Sequence, residues 1–280
     1  MIYWIIVNYH STDLIRRLIQ SIAASESPEY RIIIVNNSPG DRSIWELESE
    51  QIIILDSPEN VGFGRGCNLG LQWVWERDRD GCIWLINPDA IVPKQTPGKV
   101  LAVLHQNPQL SILGTAVYEP DGGVWFGGGE FIIKTGHIFQ LQEITPSNLS
   151  WISTTWVTAC SLLISLPTFR NCPKFDPNYF LYYEDFDLCL RYRKLGHQIG
   201  ITPQIGVIHY PSSITGKTPH LKLQHSIYSY LLSLDKHAGS SVLFYRLLRI
   251  GIVACLTFPV RPQVSLAKLR GVWRYIRRSI

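Results

Sequence analysis

The first 110 residues alternate unbroken Ile and Val runs with segments of helical period, and this alternation restricts the fold more than any other feature of the chain. The runs are "IYWIIV" (2–7), "YRIIIVNN" (30–37), "QIIIL" (51–55) and "GCIWLIN" (81–87). A strand with one wet face alternates polar and apolar residues; continuous apolar runs fit strands covered on both faces of a parallel sheet. Helix-like segments stand between them: "DLIRRLIQSIA" (13–23), "NLGLQWVWERD" (68–78) and a third near 98–106. The pattern predicts an α/β fold with a mostly parallel, doubly wound sheet. Further on, the glycine-rich "EPDGGVWFGGGEFIIKTGHIFQL" (119–141) predicts hairpins or a mobile surface loop. A second apolar run, "WVTACSLLISL" (156–166), precedes an acidic stretch, two short strands near 198–209, and helix from about residue 219 onward.

Hydrophobic residues at 46% against 17% charged exclude a disordered chain. No window reaches the ~18 uncharged apolar residues of a spanning helix; the most apolar tract, "IGIVACLTFPV" (250–260), falls short. "MIYWIIVNYH" has no basic n-region and no small-residue cleavage site, so the expected location is the cytoplasm. The cysteines at 67, 82, 160, 172, 189 and 255 form no CxxC pair, which predicts reduced, mostly buried thiols. Net charge is +4, but residues 241–280 carry eight Lys or Arg and no acid, which leaves the first 240 residues at −4. A basic tail on an acidic body predicts separate partners for the two parts.

In open α/β sheets ligands bind beyond the carboxyl ends of the strands. The segments that follow the four runs are "NYHS" (8–11), "NNSPGD" (36–41), "ENVGFGRGCNLG" (59–70) and "NPDA" (87–90). Each alone has ordinary turn composition; four at one sheet edge mark a site. A dinucleotide fingerprint is excluded, because the glycines run G-x-G-x-G and follow the third strand. The stretch "YFLYYEDFDLCLRYRKLG" (179–196) adds Glu184, Asp185 and Asp187 at a helix start, where the macrodipole alone accounts for acids.

Six motifs in order, "VNYHS" (7–11), "VNNSPGD" (35–41), "ENVGFGRGCNLG" (59–70), "INPDA" (86–90), "WVTACSLLI" (156–164) and "FDPNYFLYYEDFDLCLRYRKLG" (175–196), followed by His209, resemble family 2 glycosyltransferases. The likeness is to the bacterial subgroup that includes rhamnosyltransferases of cell-surface polysaccharide, and it spans about residues 1–215. It implies a GT-A type fold, a nucleotide-diphosphate sugar donor with rhamnose as the first candidate sugar, Mn²⁺ or Mg²⁺, and inversion at the anomeric carbon. The family's Asp-x-Asp stands here as Asn87-Pro88-Asp89, so Asp89 is the implied main metal ligand and His209 a second. Donor contacts are implied for Val7, Tyr9, Asn36, Asn37, Asn60, Gly62, Phe63, Asn68 and Asn87. Asn36 replaces the family's usual aspartate, and Ala159 replaces a frequent glycine. Gly62, Gly64 and Gly66 are expected to let backbone approach the donor, at the start of a helix whose N–H groups point to it. Asp185 is the implied base for the acceptor hydroxyl, with Glu184 as its acceptor-side neighbour. Asp187 and Arg191, at i and i+4, are expected to form a helix-surface ion pair. Tyr179, Phe180, Tyr182 and Tyr183 suit a sugar wall or core, with core favoured.

The implied organisation is a catalytic domain at 1–218, with a donor half to about 118 and an acceptor half beyond it, and a basic helical extension at 219–280. In "QVSLAKLRGVWRYIRRSI" (263–280), Leu266, Leu269, Trp273, Ile276 and Ile280 recur at spacings of three and four. Such a helix lies in an anionic membrane interface or packs on the domain; the tryptophan and the absence of acids favour the membrane. The expected partners are the donor, a glycan or lipid-linked acceptor, and the inner face of the cytoplasmic membrane through 241–280. No nucleic-acid motif accompanies the tail. Two rivals stay open. A nucleotidyltransferase would carry a glycine- and arginine-rich signature where this chain has "NYHSTD", and a non-catalytic sugar-nucleotide or glycan-binding protein would keep the fold alone.

Overall fold

The structure is a computed structural model and describes residues 1–144, 148–210 and 219–278. The four apolar runs form β1 (Ile2–Asn8), β2 (Tyr30–Asn36), β3 (Ile52–Asp56) and β4 (Cys82–Ile86), which lie parallel in the order β4-β1-β2-β3. β1 is buried along its whole length, as expected for a strand covered on both faces. The crossovers are α1 (Thr12–Ala24), which buries Ile15, Leu18 and Ile22, and α2 (Phe63–Trp75), which buries Cys67, Leu71 and Val74. Across the first pair of strands Trp4 stacks on Trp84 with centroids 4.3 Å apart.

Beyond β4 the sheet gains β5 (Ala90–Ile91), β6 (Leu110–Tyr118), β7 (Val124–Phe126), β10 (Ile152–Ser153), β11 (Ser161–Ser165) and β12 (Gln198–His209), while α3 (Thr96–Gln106) covers it. β11 runs antiparallel between β4 and β6, and β12 runs parallel to β6, so β1, β2, β3, β4, β6 and β12 all point one way. Their carboxyl ends share one edge, and Thr158–Cys160, just before β11, arrive at the same edge. Two short strands were expected at 198–209, but the structure has one twelve-residue strand with a register shift between Thr202 and Gly206. Pro203 lies in that gap and cannot donate to a ladder, so the strand passes it by a bulge instead of ending. The glycine-rich segment forms β7 and a separate hairpin of β8 (Gly129–Ile132) with β9 (His137–Gln140).

The chain ends in α4 (Glu184–Lys194), before β12, and in three further helices, α5 (Pro219–His237), α6 (Ser240–Thr257) and α7 (Pro262–Arg277). Besides the main core there is a second cluster, in which Tyr179 joins Tyr228, Leu231, Leu232 and Tyr275, with Tyr183 packed against it. By length and composition α6 suffices to cross a membrane. The expectation that no segment does so rested on uncharged runs, which Arg246 and Arg249 interrupt. All six cysteines are free, and Cys67, Cys82, Cys160 and Cys189 are buried.

Candidate active site

The ends of β1, β2 and β3 are joined by side-chain amides. Asn8 Nδ2 donates to Asn36 Oδ1 at 3.1 Å, and Asn36 Nδ2 donates to Asp56 Oδ1 at 2.9 Å. This explains the departure at position 36: an aspartate there would face Asp56 as a second carboxylate, whereas the amide donates to it. Asn37 donates to Asn60 Oδ1 at 3.0 Å and accepts from the Val61 N–H at 2.9 Å, and Asn60 in turn accepts from the Gly62 N–H. Asp41 receives bonds from Ser43 and Asn8, which outweigh burial and hold its carboxyl below the usual range. Val7 is buried at the edge, while Tyr9 is exposed beside it.

Gly62 has φ +86°, and a Cβ there would lie 2.3 Å from the Phe180 carbonyl oxygen. That carbonyl accepts the Phe63 N–H at 3.0 Å. A Cβ on Gly64 would meet Phe175 and one on Gly66 would meet Val7, at 3.0 and 3.1 Å. Asn68 donates to the Phe175 carbonyl at 2.9 Å and accepts its N–H at 2.8 Å. At all three glycines the close neighbour is protein. Gly62 and Gly64 seat α2 against residues 175–180 and Gly66 seats it against β1, and the first N–H of the helix is already bonded.

β5 pairs with the end of β12, Ala90 opposite His209, and this two-residue ladder brings together side chains 120 positions apart. His209 Nε2 lies 3.1 Å from Asp89 Oδ1, with both side chains 6% exposed. That contact is not aligned as a hydrogen bond, and neither Asp89 Oδ1 nor His209 Nδ1 makes one elsewhere. Asn87 is held by its N–H on the Cys160 carbonyl, and Trp125 sets its ring edge-on to His209 at 4.7 Å. No cluster of three or more metal-ligating residues occurs among the described residues. A buried carboxylate oxygen and imidazole with unmet bonding capacity are donors that would fit a divalent cation.

The acidic helix starts from strained backbone: Tyr182 and Tyr183, both non-glycine, have φ +69° and +63°. Asp185 accepts the Ala159 N–H at 3.0 Å and the Phe186 N–H at 2.8 Å; burial nevertheless pushes its carboxyl above the usual range. Burial, and then the charge of Asp185, raise Glu184 to about 8, and its Oε2 has no partner. The Cys160 thiol, pushed far up by burial, is raised further by Asp89 and Asp185, whose charges both act on it. Asp187 is not on the surface. It is fully buried and binds Arg191 at 2.6 Å, as expected for the i, i+4 pair, but also His237 at 2.9 Å and Lys236. Burial alone would raise its pKa; His237, Arg191 and Lys236 prevail and hold it at about 2. Of the four aromatics, Tyr179 is core and bonds Ser233, Tyr183 packs beside it, and Phe180 stacks on His225 at 4.8 Å.

The profile of the family described as "Glycosyl transferase family 2" matches residues 3–163, more than half of the chain. The chain belongs to that family. Similar curated proteins include the low-salt glycan biosynthesis hexosyltransferase Agl10 of Haloferax volcanii, 25% identical over 73% of this chain and 66% of the other. Rhamnosyltransferase WbbL of Escherichia coli K12 is 25% identical over 75% of this chain and 83% of the other. Among solved structures, GalNAc-T7 with UDP, GalNAc and Mn²⁺ aligns with TM-score 0.65 at 12% identity, over 84% of this chain and 47% of that one. The mannosyltransferase PcManGT of Pyrobaculum calidifontis with GDP-Man and Mn²⁺ aligns with TM-score 0.60 at 9% identity, over 100% and 88%. The chain thus spans under two thirds of the Haloferax protein and about half of GalNAc-T7. The fold is GT-A type, with a mostly parallel central sheet followed by helices.

Side chains that the sequence reading did not assign to the site are Asn8, Asp56, Trp125, Lys236 and His237. Asn8 and Asp56 end apolar runs and could have been found by that position; Lys236 and His237 lie in a helix with no local pattern to point at α4.

Proposed function

We propose that the protein is an inverting hexosyltransferase that moves a sugar from a nucleotide diphosphate to a hydroxyl of a glycan or lipid-linked saccharide in cell-surface polysaccharide synthesis. The observation that carries the reading is the convergence of both acidic sites on residues 159–160: the Asn87 N–H bonds the Cys160 carbonyl two positions before Asp89 of the buried Asp89–His209 pair, and Asp185 accepts the neighbouring Ala159 N–H. Residues 1–218 are read as the catalytic unit. The exposed Tyr9 and the polar edge at Asn36, Asn37, Asn60 and Asn87 would receive the nucleotide. Asp89 and His209 would hold Mn²⁺ or Mg²⁺, which when bound neutralises charge on the leaving diphosphate.

Asp185 takes the proton from the acceptor hydroxyl as that oxygen attacks the anomeric carbon from the side opposite the leaving phosphate. The Ala159 and Phe186 N–H groups and the Thr158 side chain fix its carboxylate in position. Burial and the adjacent Asp185 charge raise the Glu184 carboxyl and so favour its protonated form. It can therefore donate a hydrogen bond to the acceptor, and it spares Asp185 a neighbouring negative charge. Rhamnose is the first donor sugar to test, on the likeness to WbbL. Peripheral attachment through 241–280 at the cytoplasmic face of the membrane suits a lipid-linked acceptor. A panel of nucleotide sugars with Mn²⁺ or Mg²⁺, read as thermal stabilisation and as released nucleoside diphosphate, tests the reading. One donor should stabilise the protein only with metal and turn over only with acceptor; stabilisation by none of the panel overturns it.

A further inference from the structure

We propose that α6 and α7 together form a face that lies in the plane of an anionic bilayer surface, with α6 not crossing it. The proposal rests on the membrane association given above for residues 241–280, and adds the face, the orientation and the lipid class.

The apolar stripe of α7 divides in the structure. Ser265, Ala267, Gly271 and Tyr275 are buried, and Gly271 lets the helix approach α5 so closely that a Cβ would lie 2.8 Å from the Gln224 carbonyl oxygen and from Ile227. Leu266, Leu269, Trp273 and Ile276 remain exposed, with Trp273 at 58%. Ile280 lies outside the described residues. On α6 only Ala254 is buried, while Phe244, Leu248, Ile252 and Leu256 recur every four residues and are exposed, Leu256 at 74%. An apolar groove of about 590 Å³, lined by Leu248, Ile252, Leu256, Val272 and Ile276 among others, joins the two stripes. Large contiguous apolar patches of this kind mark interaction surfaces.

Charge selects the occupant. Residues 241–280 carry eight basic side chains and no acid, and among the described residues only Arg278 of these pairs with a carboxylate, that of Asp235. A second copy of this chain would bring like charges together at the patch, whereas anionic headgroups complement them. Arg277 lies over the ring of Trp273 at 4.4 Å, which places a cation beside an interfacial aromatic. The in-plane orientation follows from the opposite side of α6. Leu243, Leu247 and Ile250 pack against the Tyr228–Leu231 cluster, and Arg246 donates to the Thr135 carbonyl at 2.8 Å. A spanning α6 would have to withdraw all four and carry Arg246 and Arg249 into hydrocarbon.

The test uses the full chain with phosphatidylcholine vesicles, with and without phosphatidylglycerol. Sedimentation is expected with the anionic vesicles only, with release by added NaCl through screening and by alkaline carbonate. Replacing the exposed Leu256→Ser and Trp273→Ser together should lower the partition coefficient by roughly tenfold or more while far-UV circular dichroism and thermal midpoint stay unchanged. Equal binding to both vesicle types, retention in carbonate, undiminished binding of the double variant, or a concentration-dependent dimer abolished by that variant each overturns the proposal. Nucleotide-sugar stabilisation measured on the same samples separates the two readings: vesicle binding without donor binding sinks the transferase and leaves this face standing, and the reverse sinks only the face.

Discussion

The strand edge proposed to receive the donor, here the donor edge, and the acidic helix are built by opposite means. At the donor edge, the amides of Asn8, Asn36, Asn37 and Asn60 satisfy one another across three strand ends, and the glycines of α2 are fitted against fixed neighbours. At the start of α4 two non-glycine residues sit at positive φ, Glu184 keeps an unpartnered oxygen, and both adjacent carboxyls are pushed up by burial. Strain and unmet bonding persist only when surroundings over-determine them. Here the surroundings are largely α5: Ser229 bonds the Leu181 carbonyl, Ser233 the Tyr179 hydroxyl, and Lys236 and His237 hold Asp187. The donor edge is organised by its own strands; the acidic helix is held in place by a helix that follows the central sheet.

Asp185→Asn should separate the two regions most sharply. Transfer should fall by roughly 10²–10⁴-fold, the usual contribution of a positioned base, with nucleotide-sugar stabilisation unchanged. Near-normal turnover would remove Asp185 from the reaction. Asp187→Ala should cost about 3–5 kcal/mol, because Lys236 and Arg191 lose a buried counter-charge and His237 a hydrogen-bond partner, and denaturant unfolding measures this. A loss below 1 kcal/mol would mean that α5 does not hold α4.

The two regions should also differ in acid and alkali. Asp187 binds its proton less readily when folded, at about 2 against an ordinary value of 3.8. Its contribution, on the order of 2 kcal/mol, is complete above about pH 4 and is lost as pH falls towards 2. Glu184 does the reverse, since its folded value of about 8 exceeds the ordinary 4.5. Stability should therefore decline as pH rises from 4.5 through 8, and Glu184→Gln should flatten that decline; an unchanged slope would contradict the buried placement. The smallest effect expected is that of Tyr179→Phe, about 1 kcal/mol for the bond to Ser233, read in the same unfolding experiments.

The donor edge was far more legible in the sequence than the support of the acidic helix. Each strand end is marked where an Ile-rich run gives way to Asn, Pro or Gly, so the fold and the Asn87–Asp89 and Asn36–Asn37 segments could be read from local pattern. The contact between Asp89 and His209 could not be read that way, because it depends on a two-residue strand that no propensity identifies. The segment 198–209 is one strand and not two, since a bulge carries the ladder past Pro203. Asp187 was read as a surface partner of Arg191 because i, i+4 spacing says nothing about a helix fifty residues later covering both. The glycines of "GFGRG" announced close approach correctly, but not that the approaching group is Phe180, Phe175 or Val7.

The Tyr179–Ser233 bond and the Asp187 cluster bear on how this protein can be handled at the bench. A shortened version ending near residue 218, the natural choice for improving solubility, would uncover a fully buried tyrosine and strip Asp187 of two of its three side-chain partners. Trimming should instead begin at the outward face of α6 and α7, where serine substitutions remove grease without opening the interior.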